Sequence, residues 1–96
     1  MFVNIMIILI SLIYQKIFIK YINMKEKFAH IMGDNIRLER LRKKYSQDKL
    51  AELLDMSINY VGKVERGIII PSAYVIYKLS KILNVDIKEF YRDIED

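Results

Sequence analysis

The side chains in this sequence that could do chemistry are mainly cationic. Lysine and arginine number 16 against 12 aspartate and glutamate residues, so the formal net charge is +4. A dense basic cluster stands at Arg42, Lys43 and Lys44, and Arg66 follows further along the chain. Clustered cations of this kind neutralise phosphate charges and favour binding to polyanions. The charge balance therefore suits a nucleic-acid partner.

Groups suited to catalysis are scarce. Cysteine is absent and His30 is the only histidine, which excludes disulfides, thiolate metal sites and a Cys/His nucleophile pair. The sequence has no glycine-rich phosphate loop and no cluster with metal-ligand spacing. We therefore predict that the protein is not an enzyme and uses no metal or cofactor.

One short segment, residues 57–66, combines a buried stripe with chemically versatile residues. At helical spacing Val61 and Val64 face inward, and Ile58, Asn59 and Lys63 lie on the other side. An asparagine amide can pair with adenine, a lysine can donate to guanine, and an isoleucine can contact a thymine methyl. These three residues are candidates for reading base edges.

The elements that must position this segment read as five short helices in an all-α bundle. The first is predicted to begin at Asp34 or Asn35 and to bury Leu38, Leu41 and Tyr45. Ser46, Ser57 and Ser72 are predicted to cap the second, third and fourth helices. The residues predicted to face inward on the later helices are Leu50, Leu53, Leu54, Val75, Leu79, Ile82, Leu83, Ile87 and Phe90.

Residues 1–23 differ from the rest of the chain. They contain 17 apolar residues, and their only charges are Lys16 and Lys20. We divide the chain into a hydrophobic leader, residues 1–23, and a globular domain, residues 24–96. Three interpretations of the leader remain open: an over-extended start ahead of Met24, a membrane anchor through residues 1–22, or an apolar arm that packs on protein.

Residues 33–91 resemble a known family. The stretch SQDKLAELLDMSINYVGKVERG, followed by Pro71, Ser72 and LSKILNVDIKEF, is similar to the phage-repressor helix-turn-helix family of the Cro/CI or XRE type. The resemblance implies a compact lambda-repressor-like bundle that binds duplex DNA. Its recognition helix, residues 57–66, would enter the major groove. Asp55 departs from the family pattern, which usually has glycine in that turn.

The resemblance also implies roles for particular residues. Ile58, Asn59 and Lys63 occupy its base-facing positions, and Arg40 and Glu65 match a buried structural ion pair. Gln47 matches a position that touches phosphate and braces the recognition helix. The candidates for phosphate contacts are Gln47, Ser57, Tyr60, Arg66, Arg42, Lys43 and Lys44.

The function predicted on this basis is a cytoplasmic transcriptional regulator, most simply a repressor. A homodimer formed through the C-terminal residues Ile87, Phe90, Tyr91 and Ile94 would bind an inverted-repeat operator. The alternative is a membrane-anchored cytoplasmic module that binds protein, or a membrane-tethered DNA binder.

Overall fold

The computed structural model describes residues 2–95 as an all-helical chain. Helices α1 (Phe2–Arg42), α2 (Gln47–Leu54), α3 (Ile58–Glu65) and α4 (Ala73–Leu83) are followed by a 3-10 helix (Ile87–Tyr91). Within this described range there is no strand, and the predicted all-α class is confirmed. The predicted fifth helix is a single 3-10 segment, in which Asp86 Oδ1 accepts a hydrogen bond from the Lys88 N–H at 3.0 Å.

The predicted start of the first helix at Asp34 or Asn35 is wrong. Helix α1 continues without a break from the leader into the bundle, because residues 23–32 contain neither proline nor glycine to end it. Asn35 is buried in the middle of this helix. Its amide donates to the carbonyl oxygens of Phe90 at 3.1 Å and Arg92 at 2.8 Å, so it holds the C-terminal segment instead of capping a helix.

The inward face of α1 also differs from the prediction. Leu38 and Leu41 are 41% and 46% exposed, and the side chains that enter the core are Met32 and Ile36. The buried stripe begins at Ala29, upstream of the predicted helix start. Because the prediction considered only the residues after Asp34, it assigned the wrong side of the helix to the core. Two further residues predicted to be buried, Leu53 and Ile87, are exposed as well.

The serine caps of α2, α3 and α4 were predicted correctly. The hydroxyl oxygens of Ser46, Ser57 and Ser72 each accept a backbone N–H in the first turn of the following helix. Asp55 adopts the left-handed conformation with φ 57°, which its short polar side chain tolerates better than most. Asn84 ends α4 in the same conformation.

A single core lies between the second half of α1 and the remaining helices. Its fully buried side chains include Phe90, Met32, Ile36, Leu50, Leu54, Leu79 and Leu83. Helix α1 approaches α3 very closely at Gly33, where a Cβ would meet the carbonyl oxygens of Val64 and Glu65, the latter at 2.8 Å. Glycine at this position therefore sets the distance between α1 and the last turn of α3.

Candidate nucleic-acid interface

Helices α2 and α3 form a helix-turn-helix unit. Residues 55–57 connect them, and Leu50, Ala51 and Leu54 share one buried cluster with Val61 and Val64 of α3. Packing against α2 buries the inner face of α3, so the outer face is the one accessible to a partner.

The candidate base-reading residues lie on this outer face. Ile58 is 51% exposed and Asn59 is exposed, both in the first turn of α3 just after its Ser57 cap. Lys63 follows Asn59 by four residues and is partly exposed, so the two side chains lie one above the other. An exposed first turn is the part of a recognition helix that meets base edges in the major groove.

Gly62 is buried beneath the side chain of Arg66. A Cβ at Gly62 would lie 2.9 Å from a terminal guanidinium nitrogen of Arg66. Arg66 itself is exposed. Its charge therefore lies along the same helix as Lys63.

The remaining candidate phosphate ligands include the basic cluster at the end of α1 and Tyr60 of α3. Arg42, Lys43 and Lys44 are exposed where α1 ends, although Arg42 Nη1 also contacts the Glu39 carboxylate at 2.8 Å. Tyr60 is half-buried, and burial raises the pKa of its phenol above the ordinary value of 10.0. Its hydroxyl therefore stays protonated near neutral pH and can donate to a phosphate oxygen.

A buried carboxylate at the end of α3 joins three parts of the chain. The structure brings Glu65 and Arg40 together in a two-pronged pair, with Arg40 Nε 2.6 Å from Oε2 and Nη2 3.0 Å from Oε1. The Gln47 amide donates to Oε1 at 3.0 Å, and Arg40 Nη1 donates to the Tyr45 carbonyl at 2.8 Å. The side chains of Arg40 and Glu65 are 8% and 2% exposed.

This arrangement fixes α3 against the start of α2 and the end of α1. Both Glu65 oxygens are satisfied, as a buried carboxylate requires. One Gln47 amide proton is committed to Glu65, which favours bracing as its role over direct phosphate binding. Gln47 keeps a second amide proton.

A second buried carboxylate, Glu39, was missed by sequence reasoning. It is 3% exposed and contacts Arg42 at 2.8 Å and Arg92 at 3.3 Å. Arg92 is 53 residues away along the chain, so no local pattern could have paired them. The pair secures the C-terminal segment to α1.

The predicted dimer surface needs a correction. Phe90 is 0% exposed and belongs to the core, where it completes the packing beneath the 3-10 helix. Ile87 and Tyr91 are 40% and 42% exposed, and Ile94 is half-buried. Only these three of the four predicted residues are available to a second chain.

Comparison with known proteins agrees with this geometry. The family model described as helix-turn-helix matches residues 36–90, more than half of the chain. The chain belongs to the helix-turn-helix family. The resemblance to XRE-type regulators is thereby confirmed, and with it the general role of DNA-binding transcriptional regulation.

One curated relative and two solved structures each match about two thirds of this chain. An uncharacterized HTH-type transcriptional regulator, YazB of Bacillus subtilis, is 38% identical over 61 residues, covering 64% of this chain and 88% of that protein. The restriction-modification controller protein C.AhdI from Aeromonas hydrophila superposes with a TM-score of 0.62 at 35% identity, covering 65% of this chain and 94% of that one. The hypothetical transcription factor NHTF from Neisseria gives 0.63 at 27% identity, covering 69% and 76%.

Proposed function

We propose that this helix-turn-helix protein is a sequence-specific repressor that reads duplex DNA with residues 57–66. The observation that carries the proposal is the outer face of α3, where Ile58 and Asn59 are exposed while Val61 and Val64 are buried. Ile58, Asn59 and Lys63 would contact base edges. The Glu65 pair supports this reading, because it holds the recognition helix in a fixed orientation.

Phosphate contacts would come from residues in and around α3 and from the basic cluster at the end of α1. Arg42, Lys43, Lys44 and Arg66 supply exposed charge, and Ser57 and Tyr60 supply hydroxyl donors. Contacts of this type position the protein on the duplex and carry the salt dependence of affinity. We expect the affinity to fall steeply between low and physiological salt.

A homodimer on an inverted repeat is the simplest assembly for such a small reader. Two recognition helices would then meet half-sites about 34 Å apart. Ile87, Tyr91 and Ile94 offer partly exposed apolar surface for the pairing. A dimer bound across a promoter would exclude the transcription machinery and so act as a repressor. This action would take place in the cytoplasm. Similarity to a controller protein of a restriction-modification system supports a regulatory role of this kind.

The experiment that tests the proposal is selection of bound duplexes from a random DNA library, using the full chain in mild detergent at physiological salt. An inverted repeat with a defined half-site is the expected result. Recovery of duplexes with no common sequence would contradict specific readout. Recovery of a single, unrepeated half-site would contradict the dimer while leaving base reading intact.

A further inference from the structure

The first half of α1 carries a large apolar surface that nothing in the described chain covers. An 18-residue window of this helix has a mean hydropathy of 2.1, and none of it is buried. We call residues 2–21 the apolar segment. Its exposed apolar side chains are Phe2, Val3, Ile5, Met6, Ile7, Ile8, Leu9, Ile10, Leu12, Ile13, Tyr14, Ile17, Phe18, Ile19 and Tyr21. Soluble monomers rarely expose so large a continuous patch.

The apolar surface surrounds the helix on every side. Residues 5–10 are six consecutive apolar positions, and at 100° per residue they cover the whole circumference. The uncharged polar residues Asn4, Ser11 and Gln15 fall on one narrow stripe. A helix lying in the membrane surface needs a charged face, and a coiled-coil partner covers only one seam. A lipid bilayer covers all sides at once.

Length and charge agree with a spanning orientation. Residues 2–21 form about 30 Å of helix, which equals the thickness of a bilayer's hydrocarbon core. Lys16 and Lys20 lie in the last two turns of the segment, where lysine side chains can extend to the lipid headgroups. Lys25 and Lys27 follow, whereas residues 2–15 carry no charge. Such an excess of lysine marks the cytoplasmic side.

We propose that the apolar segment crosses a phospholipid bilayer and holds the helix-turn-helix domain at the cytoplasmic face. Because α1 is one unbroken helix from Phe2 to Arg42, the tether includes no flexible linker. The domain therefore keeps a fixed orientation toward the membrane.

The orientation places the proposed phosphate-binding cluster away from the bilayer, an inference that rests on the function proposed above. The C-terminal residues Ile94 and Glu95 line the same surface groove as Lys20 and Met24, at the membrane-proximal end of the domain. Arg42 lies 22 residues beyond Lys20, about 33 Å further along the helix. The basic cluster at residues 42–44 thus stands at the end away from the bilayer, so one molecule can hold both the membrane and a duplex.

The test compares the full chain with two variants that each gain two positive charges at exposed apolar sites. Ile8→Lys/Leu12→Lys alters the centre of the apolar segment, at side chains 59% and 51% exposed. Tyr74→Lys/Tyr77→Lys is the matched control on α4, at side chains 67% and 52% exposed. Each protein is produced by cell-free synthesis in the presence of phosphatidylcholine–phosphatidylglycerol vesicles. The vesicles are then washed with alkaline carbonate and floated on a density gradient.

The wild type and the α4 variant should float with the vesicles. For the Ile8→Lys/Leu12→Lys variant the ratio of vesicle-bound to free protein should fall roughly tenfold or more, because lysine is costly at the centre of a bilayer. Flotation of this variant like the wild type would overturn the proposal. A wild type that remains free as a defined oligomer would also overturn it, and would assign the apolar segment to contacts between copies.

Orientation is tested with single cysteines, since the chain has none of its own. In intact bacterial spheroplasts, a membrane-impermeant maleimide should label a single cysteine in a short hydrophilic extension added ahead of Met1 and should label Tyr77→Cys only after lysis. The reverse pattern would overturn the cytoplasmic placement. Capture of a selected duplex by floated vesicles is scored separately. If the vesicle-bound wild type and α4 variant both fail to capture the duplex, this would count against the proposed DNA binding without contradicting the membrane tether.

Discussion

The two halves of α1 share one secondary structure, yet their surroundings are opposite. In the first half, Ile8 is 59% exposed, whereas in the second half Ile36 is 1% exposed. The second half supplies the buried stripe, the ion pair with Glu65 and the close approach at Gly33. A run of apolar residues in a helix thus predicts that its surface is removed from water. Only the elements packed against the helix show whether the protein's own core does this.

The Arg40–Glu65 pair should give the largest effect, because Arg40 lies in the buried half of α1. Arg40→Ala leaves the Glu65 carboxylate buried without its main partner, so the free energy of unfolding of the domain should fall by about 3–5 kcal/mol. Urea titration of the full chain in mild detergent, followed by tyrosine fluorescence, measures this loss. Lys49→Ala is the control, because its contact with Glu52 is exposed at 3.9 Å and should contribute at most about 1 kcal/mol. Equal effects of the two variants would contradict a stabilising role for the buried pair.

The same substitution in each half of α1 tests the contrast directly. Ile36→Ala removes a core side chain and should lower the free energy of unfolding by about 2–5 kcal/mol. Ile8→Ala, on the same helix, should change it by less than about 0.5 kcal/mol. The same titration compares the two variants. A loss of comparable size for Ile8→Ala would show that the first half of α1 does pack on the domain.

Two buried glycines should respond differently to substitution, because Gly33 lies against backbone atoms and Gly62 lies against a flexible side chain. Gly33→Ala forces α1 away from the carbonyl oxygens of α3 and should cost about 1–3 kcal/mol of unfolding free energy. Gly62→Ala meets only the flexible end of Arg66 and should stabilise α3 by up to about 1 kcal/mol. Thermal unfolding monitored by near-ultraviolet circular dichroism ranks the pair. A stabilised Gly33→Ala variant would refute the close approach.

Substitutions on the outer face of α3 should act on DNA and leave folding unchanged. Asn59→Ala or Lys63→Ala should cost about 1–3 kcal/mol of binding free energy on the selected duplex and relax the choice of base at one or two positions. Lys81→Ala, an exposed lysine on α4, is the matched control. Binding is measured by fluorescence anisotropy on matched and substituted duplexes. A uniform loss on every duplex would reassign Asn59 and Lys63 to phosphate contacts.

Local signals carried most of what the sequence could predict. The serine caps and the inward stripe of α4 depend on residues only a few positions apart, and both were found where expected. The register of α1 failed because its buried stripe begins upstream of the capping residues that were taken as its start. The buried contact of Glu39 with Arg92 joins distant parts of the chain, and no nearby residue announces it.

Part of what supports the candidate site could be predicted from the sequence. Family resemblance pointed to Arg40, Gln47 and Glu65, and the structure shows how one carboxylate receives both of the other side chains. Gly33 carried no recognisable signal, because its importance arises only when α1 meets the carbonyl oxygens of Val64 and Glu65. Contacts between backbones of separate helices leave no periodic trace in the sequence.

Because α1 is one continuous helix, the number of its residues fixes the rotation of the domain relative to residues 2–21. One residue inserted between Asn23 and Phe28 would advance the domain by about 1.5 Å and rotate its reading surface by about 100° around the helix axis relative to residues 2–21. Seven inserted residues would restore the direction to within about 20° while moving the domain outward by about 10 Å. The angle at which the domain presents α3 is therefore encoded in the number of residues in this helix, and changes of chain length there act as rotations.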